Sequence, residues 1–447
     1  QNNSILAPHF VFYIEQQLET KYGADVATQG LTVITTLDAE LQHDAETIVS
    51  RYALSNQSKF NASNASLVAI DPKTGQILSM VGSRDYFDPE IDGNFNATLS
   101  QRQPGSAFKP FVYAAALKKG YTAKTAIFDV PTQFSTACAA SDNYNNVYPC
   151  YAPANYDNKF RGPMTFTTAL AQSINIPAVK ALYLAGPDNV LALAEAVGIT
   201  TLGKAKEYGL SLALGAGEVT LLELTGAYAT LGNDGVRNPP TGILEVRDKR
   251  GSVLEKFAVA PQQVLDAGVA RSMSAMLSDN QARQPEYPPV NPFFFPDYDV
   301  AAKTGTTNES RDAWTVGYTP SIAVGVWAGN NNNTPMVKEI AGYIVAPMWH
   351  EFMLVALAKQ PKEYFNEPPE IPSSVHPVLR GASLITLPDG SSVSHSLLYW
   401  TNKENPLGPP PLNPWSDPQL EHWEYPIRAW QAITFGPQPT QTATTTQ

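Results

Sequence analysis

Apolar positions recur at helical spacing near the start of the chain, at Phe10, Tyr13, Ile14 and Leu18, and the run stops near Gly23. That period predicts an amphipathic helix, because residues three and four apart share one helical face. Residues 30–37 are instead rich in β-branched side chains and predict a strand. Asp38 is placed to N-cap a second helix carrying Leu41, Ala45 and Val49. The Asn- and Ser-rich stretch at 55–66 then reads as a loop. Two apolar runs, 67–70 and 76–81, flank Asp71-Pro72-Lys73-Thr74-Gly75, a hairpin pattern with a longer turn. From Pro104 to about Val236 the pattern is mainly helical, broken by a hydrophilic stretch that holds two cysteines. Residues 313–327 predict another hairpin, turning at Tyr318-Thr319-Pro320-Ser321. Strands at both ends with helices between them predict an α+β domain with an antiparallel sheet.

Beyond about residue 361 the texture changes. Proline becomes dense (Pro368-Pro369, Pro409-Pro410-Pro411), residues 383–399 suggest a hairpin around Pro388-Asp389-Gly390, and 440–447 is low in complexity. The expected organisation is an N-terminal helix–strand–helix linker region (1–60), a main domain (61–361) and a Pro-rich extension (362–447) with a small β element and a disordered tail.

Composition narrows the function classes. A chain of 447 residues with 43% hydrophobic content supports a substantial core. Thirty Lys and Arg against 41 Asp and Glu give a formal charge of -11, without the basic footprint of a nucleic-acid binder or a polybasic segment for anionic lipid. No apolar run approaches the roughly 20 residues needed to cross a bilayer. No signal peptide is visible behind Gln1, so the chain is soluble by nature or its targeting segment lies outside it. Cys138 and Cys150 would close a loop worth about 3 kcal/mol as a disulfide, which suits an oxidising compartment. Two unrelated thiols are the alternative. The pair lacks metal-ligand spacing and none of the six histidines clusters with it, so no metal or cofactor is implied.

Ser106-Ala107-Phe108-Lys109 is the only Ser-x-x-Lys in the chain, preceded by Pro104-Gly105 and followed by an apolar helical run. Residues three apart on a helix start share a face, so a lysine amine can serve the serine hydroxyl as base. Such a base must lose its proton, which burial or a neighbouring cation favours. Taken alone, the spacing also fits an ordinary helix start with a solvated lysine. Ser173-Ile174-Asn175, embedded in apolar helical sequence, is the favoured second element; Ser141-Asp142-Asn143 and Ser278-Asp279-Asn280 share its pattern but sit in polar surroundings. The third is Lys303-Thr304-Gly305-Thr306-Thr307, at strand spacing, where the lysine attracts a carboxylate and the glycine admits a second backbone. Its strand edge could take an extended peptide. Lys73-Thr74-Gly75 repeats the tripeptide but reads as a turn. No Gly-x-Ser-x-Gly elbow or phosphate-binding loop competes.

These three motifs, in this order, match the signature shared by penicillin-binding proteins and serine β-lactamases. The surrounding residues resemble the class A (bifunctional) penicillin-binding proteins: 102–111, Ser211-Leu212-Ala213-Leu214-Gly215, Lys303 to Asn308, and Asp312-Ala313-Trp314. Thr35-Thr36-Leu37-Asp38 is similar to the linker into their transpeptidase domain, and the resemblance covers about residues 30–349. Thr315 departs from the pattern, since the family usually has an aromatic residue after Trp314.

The resemblance implies a penicillin-binding/serine β-lactamase-like fold with a helical subdomain and a peptidoglycan D,D-transpeptidase acting on stem peptides and inhibited by β-lactams. It implies Ser106 as nucleophile, Lys109 as base, Ser173 and Lys303 as proton relay, and Asn175 holding the peptide amide. The N–H groups of Ser106 and Thr306 would form the oxyanion hole, with Thr304, Gly305, Thr306 and Thr307 binding substrate. Family members carry a glycosyltransferase domain and a membrane helix upstream, which implies an extracytoplasmic, membrane-anchored parent. A D,D-carboxypeptidase or a non-catalytic β-lactam sensor shares the motifs. A class A β-lactamase would need Glu-x-x-x-Asn between the second and third motifs, and none occurs between Asn175 and Lys303.

Overall fold

The structure, a computed structural model, describes residues 5–386 and 392–435. It opens with α1 (Pro8–Tyr22), β1 (Thr32–Thr35) and α2 (Ala39–Phe60). Asp38 caps α2, its carboxylate accepting from the N–H groups of Glu40 and Leu41. The loop expected at 55–66 is largely absent: α2 continues to Phe60 and β2 (Asn64–Ile70) begins three residues after Asn61. The polar residues there serve tertiary bonds and caps instead of water. Asn56 donates to the Ile344 carbonyl at 2.8 Å, Asn61 ends the helix at φ 56°, and Asn64 accepts from Ala65 and Arg84.

β3 (Ile77–Val81) completes the predicted hairpin. Helices and short strands follow: α3 (Lys109–Lys118), β4 (Ala126–Asp129), β5 (Gly162–Thr165), α4 (Phe166–Ala171), α5 (Asn175–Ala185), α6 (Pro187–Ala196), α7 (Ala205–Tyr208) and α8 (Leu221–Gly232). Next come β6 (Val236–Arg237), β7 (Ile243–Arg247), β8 (Val253–Lys256), β9 (Gln262–Gln263), α9 (Ala267–Ser278) and α10 (Asn280–Arg283). The chain then returns to the sheet through β10 (Ala301–Thr306), β11 (Asp312–Tyr318) and β12 (Ala323–Gly329). α11 (Ala341–Ile344) and α12 (Ala346–Lys359) close this part.

The central sheet has the order β10-β11-β12-β2-β3, every pairing antiparallel. Alternate residues feed two cores. Val68, Ile70, Trp314, Val316 and Trp327 join the apolar cluster of α3, α5, α8 and α9, while Leu67, Ala69, Ala313, Val324 and Val326 join that of α2 and α12. A sheet covered on both faces has no solvent side, so β2, β11 and β12 are buried at every position and lack the apolar–polar alternation of a half-exposed strand.

Thr315, the departure from the family pattern, is fully buried on β11, and its hydroxyl has no partner among the described residues. An unbonded buried hydroxyl costs about 1–3 kcal/mol, and valine fills the same shape. Thr315→Val is therefore expected to raise stability by about 1 kcal/mol, checked by urea unfolding at unchanged m-value.

The structure joins Cys138 to Cys150, and Gln133 laces the same loop by donating to the carbonyls of Asp142 and Asn145. The Pro-rich extension holds the short hairpin β13 (Ile385–Thr386) and β14 (Ser392–Val393), then α13 (Leu397–Trp400) and α14 (Leu420–Phe435). Its expected turn at 388–390 and the tail at 440–447 lie outside the described residues. Leu379, Leu397, Leu398, Leu420 and Trp423 are buried in the cluster that includes α3 and α5, so this part packs onto the main domain. α1 does the same through Phe10, Ile14 and Leu18.

Candidate active site

Residues Gly105–Phe108 form a single 3₁₀ turn that runs directly into α3. Residues three apart nearly eclipse in such a turn, which brings Ser106 and Lys109 to one side. The turn is tied down on several sides. Arg102 and Val219 exchange backbone bonds at 3.0 and 2.9 Å, the Trp314 indole donates to Gln103 O at 2.9 Å, and the Tyr228 hydroxyl donates to Ala107 O at 2.7 Å. Arg102 also pairs with Asp312 at 3.3 Å, and Trp327 donates to the same carboxylate at 2.9 Å.

Two glycines let β10 approach this turn. A Cβ on Gly305 would lie 2.1 Å from the Pro104 carbonyl oxygen. Gly105 has φ +53°, and a Cβ there would lie 2.5 Å from the Thr306 carbonyl oxygen. The Ser106 N–H has no acceptor among the described residues. Thr307 N–H donates to Asp312 O at 3.2 Å. Alternation along the antiparallel ladder then turns the Thr306 N–H toward the open edge of the sheet, next to Ser106.

Ser173 occupies the join between α4 and α5. Its φ is +58°, with Ser173 N–H bonded to Leu170 O at 3.0 Å and Ile174 N–H to Ala169 O at 2.9 Å. This is a Schellman helix end with serine where glycine is usual, a strained choice that keeps a hydroxyl there. Asn155 supports the start of α5 by accepting from the Asn175 N–H at 3.0 Å.

The two lysines sit beneath this surface, both buried. Lys303 Nζ donates to Ser173 Oγ at 2.8 Å and to Thr304 O at 2.9 Å. Burial first, and then the Arg283 charge, push its pKa down to about 7. Lys109 Nζ lies against Ser173 O at 2.6 Å, Asn175 Oδ1 at 2.8 Å and Ile174 O at 3.3 Å, and makes no hydrogen bond to Ser106. Three oxygens complement an ammonium, but none belongs to a carboxylate. Burial first and Lys303 second hold its pKa well below the usual lysine range.

Ser106, Ser173, Asn175, Thr304 and Thr306 line one cleft with Asn308. Asn175 spends its side chain inside the wall, accepting from Lys109 and donating to Ala154 O at 2.8 Å. Thr306 Oγ1 accepts from Ala341 N–H at 3.0 Å. Gly305 packs against the serine turn, and Thr307 is not among the cleft residues: its hydroxyl accepts from the N–H groups of Arg311 and Asp312. The decoys stand elsewhere. Ser141-Asp142-Asn143 lies in the disulfide loop, Asp279 caps α10, and Lys73 pairs with Glu363 at 2.6 Å. The cleft also contains Tyr156, Asp157, Arg161, Glu286 and Tyr287, which no motif marked, because they come from two distant loops.

The helix-flanked antiparallel sheet with this cleft at its edge defines a penicillin-binding transpeptidase fold. PonA1 from Mycobacterium tuberculosis, solved in complex with penicillin V, superposes with a TM-score of 0.69 at 24% identity, covering 82% of this chain and 97% of that one. Penicillin-binding protein 1A from Haemophilus influenzae gives 0.70 at 20% identity, covering 87% and 75%. In sequence, penicillin-binding protein 1A of Aquifex aeolicus is 38% identical over 312 residues, and penicillin-binding protein 2D of Bacillus subtilis 32% over 372. Those alignments cover 68% and 81% of this chain but only 40% and 51% of the relatives. The penicillin binding protein transpeptidase domain, as a family, matches residues 65–353, and the chain belongs to that family. Among the described residues no helix is long and apolar enough to cross a membrane.

Proposed function

We propose that the chain is a peptidoglycan D,D-transpeptidase that cross-links stem peptides through an acyl-serine intermediate on Ser106. The observation that carries this reading is the meeting of three separate motifs in one cleft, lined by Ser106, Ser173 and Thr304, with Lys303 Nζ 2.8 Å from Ser173 Oγ. Ser106 Oγ attacks the penultimate D-Ala carbonyl and Lys109, whose pKa burial holds well below the usual lysine range, takes its proton. The N–H groups of Ser106 and Thr306 stabilise the oxyanion. Ser173 and Lys303 return a proton to the departing D-Ala nitrogen, while Thr304 and Thr306 hold the substrate carboxylate. Asn175 acts chiefly by fixing Lys109. A β-lactam follows the same path as far as the acyl-enzyme. The upstream glycosyltransferase half, the membrane anchor and the extracytoplasmic location belong to the same proposal, supported by the length of the relatives.

The test is to label the protein with a fluorescent penicillin, map the adduct by mass spectrometry and assay a D-Ala-D-Ala stem peptide with and without an amine acceptor. A long-lived adduct on Ser106 and amide product are expected. An adduct that persists in Ser106→Ala would sink the assignment. Amine-independent release of D-Ala alone would make the enzyme a carboxypeptidase, and a stable adduct without peptide turnover a sensor.

The lysines also set a pH dependence. Lys109 must be uncharged to accept a proton, so acylation falls in acid. Lys303 attracts the substrate carboxylate only while charged, and its pKa of about 7 means that this pull fades above neutrality. The acylation rate is expected to fall both in acid, as Lys109 takes up a proton, and above neutrality, as Lys303 loses its charge. Lys303→Arg, which keeps its charge, should remove the alkaline limb, as a pH series of acylation rates would reveal.

A further inference from the structure

Glu286 is a carboxylate without an internal partner. Its side chain lines the cleft, only partly exposed, and makes no hydrogen bond or ion pair among the described residues. The segment that carries it is nevertheless anchored by its buried neighbours. Arg283, three residues earlier, is buried with its guanidinium donating to the carbonyls of Leu277 and Ala302 and stacked on Phe293 at 5.2 Å. Tyr287, the next residue, is buried, with its ring against Phe293 at 5.1 Å. Arg161, a cation that also lines the cleft, is already paired with Asp157 at 2.9 Å. A preorganised acid left unpaired next to a reacting centre is built for something that arrives.

We propose that Glu286 receives the acceptor ammonium of the second stem peptide and so favours amine over water in the deacylation half of the reaction. This rests on the acyl-serine reading above. By microscopic reversibility the acceptor nitrogen enters where the leaving nitrogen departed, beside Ser173, and Glu286 lines the same cleft as Gln172 and Ser173, with Gln172 donating to Ala282 O at 3.1 Å, four residues before Glu286. The acceptor arrives as an ammonium, and Glu286 takes one of its protons to expose the lone pair. Nitrogen then attacks the acyl carbon: the C–N bond forms and the C–O bond to Ser106 Oγ breaks. Of the two hydrogens left on nitrogen, one returns to Ser106 Oγ through the lysine–serine relay and the other stays on the new amide. Glu286 afterwards releases its proton to water. Burial raises the proton affinity of Glu286, opposed by Arg161, Lys303 and Lys109, which suits a group that must accept a proton in passing.

The experiment uses the full chain, an acyl-D-alanyl thioester as donor and D-alanine as a graded amine acceptor, with amide and free acid products quantified by chromatography. The ratio of amide to acid is independent of how much acyl-enzyme forms. Glu286→Gln is expected to lower that ratio about tenfold or more at equal acceptor concentration, the effect of losing one charge-assisted contact. Glu286→Asp should restore part of it. An unchanged ratio in Glu286→Gln overturns the proposal, as does an altered donor KM with the ratio intact, which would place a donor group on Glu286. Failure of the wild-type chain to form any penicillin adduct on Ser106 is a separate signature, and it removes the acyl-serine reading itself.

Discussion

Lys109→Met is expected to slow acylation by penicillin about 10³-fold while the protein stays folded, within the span that a positioned general base contributes. The lysine is fully buried, so its charge is opposed by desolvation and by Lys303, as the proposed role of base requires. Methionine occupies a similar volume without an amine. Two effects on stability then oppose each other. The cost of burying an amine disappears, and the carbonyls of Ser173 and Ile174 lose a donor worth about 1–3 kcal/mol. The melting temperature should therefore move by only a few degrees while labelling collapses. Time-resolved labelling with a fluorescent penicillin, alongside thermal unfolding, separates the two. Acylation within tenfold of wild type would mean that another group is the base, and Ser173 with Lys303 would be the candidate pair.

Asp312→Ala should destabilise the fold by about 3–5 kcal/mol, the cost of removing one member of a buried ion pair. Asp312 and Arg102 are both buried, and the Arg102 guanidinium also lies 4.5 Å from the centre of the Trp327 ring. Burial raises the Asp312 pKa more than Trp327 and Arg102 lower it, so the pair is not itself a strong net stabiliser. Its importance lies in what deletion leaves behind: a buried guanidinium with no counter-charge and an indole N–H with no acceptor. The same pair joins β11 to the segment leading into the Ser106 turn, so acylation should fall along with stability. Denaturant unfolding measures the first loss, and residual labelling under stabilising conditions the second. A loss below about 1 kcal/mol would show that water replaces the carboxylate and that the frame is less dry than its burial indicates.

How much of this was legible in the residues differs from element to element. The capping of α2 by Asp38 and the paired strands β2–β3 and β11–β12 follow from local chemistry: a short carboxylate before a helical period, and apolar runs around a turn. At 55–66 the same logic misled, because an Asn- and Ser-rich segment looks solvated unless the distant carbonyls and N–H groups that occupy it are known. Ser106, Ser173 and Lys303 could be singled out because each stands in a short motif whose spacing has a mechanical meaning. Thr307 shared a motif with Thr306, yet its hydroxyl is turned to the N–H groups of Arg311 and Asp312.

By itself, then, the sequence determined the α+β class, most of the strands and helices, and three motifs with their order. These are properties of neighbouring residues, whose periodicity and turn chemistry act over a few positions. Only the tertiary structure decided that Lys303 meets Ser173 across 130 positions, that β10 packs on the Ser106 turn through Gly105 and Gly305, and that Glu286 and Arg161 share the cleft. It also decided which side chains lose their water, and with it the depressed pKa of Lys109 and Lys303. Desolvation depends on everything packed around a group, and no local pattern carries that information.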